Sequence, residues 1–519
     1  SQNNTQVLDI YYPAREAYLQ DTFRATSRLT FMFGARWQPH FGVRPAAGNF
    51  VTFRPGQAST VFPTAPVGVV SVGDQGVPAN LYGNRYGDIG PRASLAWDIF
   101  GNGKASFRAG YAWMTDYQVL IGFNEYTNTA PYGIYYSPNM ETLDLANPYA
   151  EYGTVPFPFT APVAGDPDNT KIVFPTPVNN VAYDKDYNSA QIHQWNATFD
   201  FEPIKTYLIS VGYVATRGTH LSNDRDFNWP RFVPGASTNS TDNIRPRRPY
   251  YANGLETIRM YFADFNSMYN SLQVRFNKRY SRGLTLMGHY TMSRNTTQHG
   301  MRLFDNYGLD YYSPGLDHNF ALAYAYDIPI PQGTTRASKA LLGGWTLGGT
   351  VQARSGGWFG VGDYNCNEFN FASTGGCAAN FVGGDPYSSM KGRPATDASD
   401  APIGVYWADA SKFIRPQEIL VDGVAVVSSE VGQRLFIGNA ITGTIKGPAA
   451  FMMDASLRKR FAFSETLSID FRLDAMNVLN HTVLNGPGGL TTGPDMTRFG
   501  VIDSAWDPRR LQLSVKFVF

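Results

Sequence analysis

Every second residue of "RRLQLSVKFVF" (509–519) is apolar: Phe519, Phe517, Val515, Leu513 and Leu511 alternate with Val518, Lys516, Ser514, Gln512 and Arg510. A period of two places the two sets on opposite faces of a strand. The pattern recurs in "LSIDFRLDA", where Leu467, Ile469, Phe471, Leu473 and Ala475 oppose Ser468, Asp470, Arg472 and Asp474. In "LTFMFGARW" the shared face is Leu29, Phe31, Phe33, Ala35 and Trp37, and in "ASFRAGYAW" it is Ala105, Phe107, Ala109, Tyr111 and Trp113. With similar segments near 16–24, 92–99, 195–201, 207–216, 271–280, 284–293, 320–327, 345–354 and 453–461, the count reaches about thirteen strands. Most approach the nine to eleven residues, roughly, that a tilted strand needs to cross a membrane. Strands of a soluble sandwich are shorter, about five or six residues, and hide their apolar face against a second sheet.

The connections alternate in length. "RATSR" (24–28), "FGNGK" (100–104), "EPIK" (202–205), "YSRG" (280–283) and "FSE" (463–465) are tight turns, whereas 38–90, 116–190, 217–268, 294–318, 355–450 and 480–498 are long excursions. Short turns at one rim and long loops at the other describe an outer-membrane barrel with its turns in the periplasm and its loops outside the cell. The fold class expected is therefore all-β: an antiparallel transmembrane β-barrel with long extracellular loops. The connection 328–342, "IPIPQGTTRASKALL", exceeds the other short ones, and the sequence offers no reason for it.

Composition agrees with this picture. A formal net charge of +1 over 519 residues argues against a nucleic-acid scaffold, and 14% aromatic content suits a protein with interfacial girdles. The chain contains no apolar run long enough for a spanning helix, and no charged and apolar leader stands ahead of Ser1, which leaves a removed leader or an internal start.

Candidate chemistry is sparse. The seven histidines form no HExxH and no i, i+4 pair, and His289 falls on a polar strand face, where it would line the lumen. "FGNGKAS" (100–106) lacks the glycine spacing of a phosphate loop and joins two strands, as a hairpin turn does. "RPRRPYY" (245–251) mixes basic and aromatic residues, open to stacking on nucleic acid or glycan or to loop stiffening by proline. "GDPDN" (165–169) suits either a hard cation or an ordinary turn. Nothing here assembles a catalytic group, and no cofactor is expected. Cys366 and Cys377 are the only cysteines; outside the cytoplasm the segment between them closes readily, and a disulfide there would stabilise its loop by about 2–3 kcal/mol.

Taken in order, "QDTFRATSRLTFMFGARW" (20–37), "FRAGYAW" (107–113), "YNSLQVRFNKRYSRGLTLMGHYTMS" (269–293), "FRLDAMNVLNH" (471–481) and "FGVIDSAWDPRRLQLSVKFVF" (499–519) resemble the C-terminal barrel portion of an Oar-like TonB-dependent outer-membrane receptor, the subgroup with a carboxypeptidase-regulatory-like domain. The resemblance implies about twenty-two strands around an N-terminal plug, of which residues 1–519 would supply about the last thirteen. It implies a receptor and transporter whose loops capture a ligand, with the TonB system driving uptake. The expected partners are outer-membrane lipid and the remaining strands and plug, from the same polypeptide or another chain. The alternative is a structural or adhesive barrel that binds a surface component without active uptake, and a passive pore is a third reading. Phe519, with Phe517, Val515, Leu513 and Leu511, also resembles the signal read by the barrel-assembly machinery. The ligand is not legible.

Overall fold

A computed structural model describes residues 2–4 and 9–519, apart from 47, 117–122, 124, 137–143, 145, 150–161, 163–165, 175, 232–240, 299–310, 313–314, 331–332, 364–377, 416–417, 423, 428–437, 441–442, 465 and 494–495. Both cysteines, and with them the expected disulfide, lie outside the described residues.

Thirteen antiparallel strands follow one another in chain order across one sheet. They are β1 (Ala17–Arg24), β2 (Leu29–Trp37), β3 (Ile89–Asp98), β4 (Ala105–Thr115), β5 (Gln191–Phe201), β6 (Tyr207–Asp226) and β7 (Leu255–Ser281). After these come β8 (Leu284–Gln298), β9 (Asp317–Asp327), β10 (Trp345–Arg354), β11 (Ala450–Ala462), β12 (Ser468–Met476) and β13 (Arg510–Val518). Two short strands join the sheet from the side: Val178–Tyr183, parallel to β7, and Tyr311–Tyr312, against β8. Every segment that alternates in the sequence is a strand, because period-two side chains can satisfy two different environments only on a pleated ribbon.

The register keeps the two faces distinct from strand to strand. One row of directly opposed residues runs Leu29, Trp97, Phe107, Phe199, Val211, Val274, Tyr290, Phe320, Ala353 and Phe451. The opposite face carries a second row: Arg24, Thr30, Ala96, Arg108, Thr198, Gly212, Gln273, Thr291, Asn319 and Arg354. This second row begins at the turn end of β1 and finishes at the loop end of β10. Such a climb is the stagger that tilted strands of a barrel wall require.

The turns are built as their residues dictate. Gly101 and Gly103 adopt φ of 74° and 71°, and the Asp98 carboxylate accepts their N–H groups at 2.9 and 3.1 Å, so "FGNGK" is a hairpin turn. Beyond the other rim, β6 and β7 continue as a ladder, with Asp226 opposite Arg259, far past the length needed to cross a bilayer. Much of the excursion expected over 217–268 is therefore strand. The sequence concealed this because residues 255–266 have no strict alternation once they are packed on both faces.

The apolar core lies in the loops, away from the strands that cross. The largest fully buried side chains are Tyr126, Tyr183, Phe50, Phe53, Phe62, Phe123, Phe413, Phe499, Leu81, Leu255 and Ile258, all in connections or on the projecting end of β7. Aromatic contacts knit that body together, with Tyr183 centred 4.8 Å from Tyr261 and Phe50 4.7 Å from Tyr126. A barrel wall turns its apolar face to lipid, so its side chains bury little against one another.

Among the described residues, β1 pairs only with β2 and β13 only with β12. Leu511, Leu513, Val515 and Phe517 stand exposed on the apolar face of β13, followed by Phe519. The long connection after β9 contains a helix over Arg336–Leu342, begun by Thr335, whose hydroxyl accepts the Ser338 N–H.

Candidate functional site

At the loop ends of β8 to β11 the polar face opens into a cavity of about 610 Å³, a size suited to a small organic ligand. Asn295, Asp317, Asn319 and Arg354 reach it from the strands, Trp358 and Phe359 from the connection after β10, and Asn485 and Trp506 from the connection before β13. Alternation accounts for the strand contribution, since Asn319 and Arg354 belong to the polar row that crosses the wall.

Asp317 organises one side. Its carboxylate accepts the Trp358 indole N–H at 2.9 Å and the Ser355 hydroxyl at 3.3 Å. Behind the same indole, the Lys446 ammonium lies 4.6 Å from the ring centre and donates to the Leu316 carbonyl at 3.0 Å. Glycine makes the wall thin here: a Cβ on Gly356 would fall 1.9 Å from the Gly447 carbonyl oxygen, and one on Gly486 2.6 Å from the Phe359 ring. Arg354 faces Trp506, its guanidinium carbon 5.0 Å from the ring centre. No carboxylate pairs with Arg354 among the described residues, and Asp317 is engaged by Trp358 and Ser355. The cavity thus combines a guanidinium with no carboxylate partner among the described residues, the Asp317 carboxylate, several aromatic planes and side-chain amides, which suits a polar or strongly polarised group carried on an aromatic or flat body.

The polar face also carries two arginine clusters nearer the short turns, one on β4, β5 and β7 and one on β11 and β12. Asp200 draws Arg108 to 3.4 Å and Arg275 to 4.0 Å, while Asp470 draws Arg458 to 2.5 Å and Arg460 to 3.8 Å. In both groups the carboxylate is largely covered and the guanidinium groups are exposed. His289 lies on this face opposite Arg275, in line with its expected lumenal place.

The remaining sequence candidates have structural duties. In "RPRRPYY", Arg248 is buried and donates to the Asp226 carboxylate at 2.6 Å and to the Asn228 carbonyl at 2.8 Å, while Arg245 meets Glu256 at 2.7 Å. These guanidinium groups hold the loop body together and leave little for a nucleic acid or glycan. In "GDPDN", the Asp166 carboxylate caps a short turn by accepting the Asp168 N–H at 2.8 Å, and Asp168 pairs with Lys171 at 2.7 Å. Cys366 and Cys377 are outside the described residues. The cavity itself has no local signature: Arg354, Trp358 and Trp506 are scattered over 152 positions of the chain and meet only when the sheet assembles.

No curated protein matches the sequence. Among solved structures, the outer membrane transporter YddB from Escherichia coli is similar at 12% identity and a TM-score of 0.41, over 97% of this chain and 45% of that one. The FrpB iron transporter from Neisseria meningitidis is similar at 8% identity and a TM-score of 0.40, over 97% and 46% of the two chains. BauA, the ferric preacinetobactin receptor from Acinetobacter baumannii, is similar at 11% and 0.37, over 97% and 42%. The chain spans less than half the length of each of these. The model of the outer membrane beta barrel domain family matches residues 1–512. With a polar face turned inward, an apolar face outward and that match over nearly its whole length, the chain belongs to the outer membrane beta barrel domain family and resides in the bacterial outer membrane.

Proposed function

We propose that the chain forms barrel wall and extracellular loops of a TonB-dependent receptor and transporter, and that the cavity at the mouth of β8 to β11 takes part in ligand capture. The observation that carries this reading is the polar row that climbs from Arg24 to Arg354 and ends in that cavity. A ligand held beside Arg354 and Trp506 would stand on the same face as Arg458 and Arg460, which lie on the neighbouring strand β11 nearer its short turn. The ordered motifs resembling this family support the energy source. Bound anionic groups would be favoured, since Arg354, Arg108, Arg275, Arg458 and Arg460 outnumber the carboxylates grouped with them, Asp317, Asp200 and Asp470.

The open edges form part of the proposal. In lipid, each unpaired N–H or C=O costs several kcal/mol, so β1 and β13 need partner strands. We assign these strands, with a plug, to the rest of the same polypeptide or to another chain. Leu511, Leu513, Val515, Phe517 and Phe519 are proposed as the face read by the barrel-assembly machinery.

Photocrosslinking of the intact protein in living cells to TonB tests the transporter reading. A specific crosslink, together with a closed state in planar bilayers, is the expected result. Steady open conductance without a TonB contact would make it a passive pore. The absence of both would leave the adhesive reading, which the size of the folded loop body favours.

A further inference from the structure

The connection between β9 and β10 is fastened to the outside of the wall. Lys459 stands on β11 directly opposite Phe471 and Trp345, and so on the apolar face. Its ammonium donates to the carbonyls of Ala340 at 2.7 Å and Leu341 at 3.2 Å, and also to that of Gly343, at the C-terminal end of the Arg336–Leu342 helix. Trp345, on the same face, donates its indole N–H to the Leu341 carbonyl at 2.9 Å. A lysine on the lipid-facing side is costly unless its charge is met, and here the carbonyls at a helix C-terminus meet it. Both anchors therefore hold the segment under the lipid-facing side of the rim, away from the lumen.

What the segment then exposes is apolar. Leu341 is 68% exposed, Leu342 50% and Ile330 41%, continuing the outer face of β10 and β11 past the ends of the strands. Tyr280 and Phe463, exposed at neighbouring short turns, belong to the same belt. Residues 328–344 contain Arg336 and Lys339 and no acidic residue. Lys339 is exposed and lies one turn before Leu342, on the same side of the helix.

We propose that the described residues of this connection, 328–330 and 333–344, form a membrane-surface segment that binds glycerophospholipid of the periplasmic leaflet. The acyl chains pack on Ile330, Leu341 and Leu342, and the Lys339 ammonium meets the headgroup phosphate. Continuity with the lipid-facing wall identifies the occupant, because the same bilayer that covers Trp345 and Phe461 reaches these side chains next. The segment is long because it lies along the membrane, whereas the other turns only reverse the chain. This inference rests on the orientation that places the short turns in the periplasm, not on transport.

The test uses the intact protein with Cys366→Ser and Cys377→Ser, labelled with bimane at Leu341→Cys or, separately, at the turn residue Gly333→Cys. Each is reconstituted into phosphatidylethanolamine and phosphatidylglycerol vesicles whose upper acyl chains are brominated. Folding is verified by heat-modifiable electrophoretic mobility, and Leu342→Cys replaces Leu341→Cys if the latter fails to assemble. Quenching at Leu341→Cys or Leu342→Cys is expected to exceed that at Gly333→Cys by roughly threefold or more. Quenching at Leu341→Cys and Leu342→Cys in assembled protein no greater than in vesicles of unbrominated lipid would overturn the proposal.

Discussion

Trp358 donates its indole N–H to Asp317 at 2.9 Å, joining the connection after β10 to the first residue of β9. Replacing the carboxylate with a methyl group leaves the indole donor and the Ser355 hydroxyl without this acceptor. Asp317→Ala is expected to cost about 1–3 kcal/mol in local stability, while Asp317→Asn, which keeps a carbonyl oxygen in place, should cost less than about 1 kcal/mol. Limited proteolysis of the 355–450 connection in the two variants reads the difference.

Arg248 and Asp226 form a buried pair at 2.6 Å, with side chains 4% and 6% exposed. Asp226 also accepts the N–H groups of Asn228 and Ile258 at 2.9 and 3.0 Å. Removing the cation strands a covered carboxylate. Arg248→Met is expected to destabilise the outer hairpin of β6 and β7 by about 3–5 kcal/mol, and pairing it with Asp226→Leu should recover part of the loss. Hydrogen exchange at the Ile258 amide gives the measurement.

His40 supplies a pH dependence to the loop body. Burial, partly offset by Asp88 and reinforced by Arg85, drives its imidazole from the ordinary 6.5 down to about 4. The folded ring stays neutral where the unfolded one takes up a proton, so stability is fullest above pH 6.5 and falls as pH drops towards 4. At about 1.4 kcal/mol per pH unit, the whole loss is about 3 kcal/mol. Proteolytic protection of residues 38–90, followed from neutral to mildly acid pH, should fall accordingly, and His40→Gln should flatten the response.

The register assigns Phe471 and Leu473 to the lipid face and Asp470 and Arg472 to the lumen, opposite Val515, Leu513, Lys516 and Ser514 respectively. Single cysteines at the two apolar positions are expected to resist aqueous maleimides in intact membranes, while those at the two polar positions react. The inverse pattern would mean a register slip of one residue, which exchanges the faces.

The free edges of β1 and β13 are expected to remain apart. Gln20→Cys and Ser514→Cys, both on the lumenal face, should form no disulfide with each other in native membranes under mild oxidation. A high-yield bridge between them would close the sheet on its own strands and leave too narrow a lumen for a plug.

Alternation alone located all thirteen strands of the wall and sorted their faces, because lipid and lumen impose opposite demands on successive residues. The turn role of Gly101 and Gly103 was equally legible, being a local matter of backbone conformation. The sequence left the length of residues 328–342 without a reason, and only folding shows that its helix end is fastened through the carbonyls of Ala340 and Leu341 to Lys459, more than a hundred residues later. "RPRRPYY" was open to stacking or to loop stiffening on sequence alone, and only folding shows Asp226 and Glu256 engaging its arginines. The cavity was hidden for the same reason: Arg354, Trp358 and Trp506 become neighbours through strand order and loop packing, which no local period encodes. Faces follow from the period of the chain, whereas sites follow from which distant residues the completed sheet sets side by side.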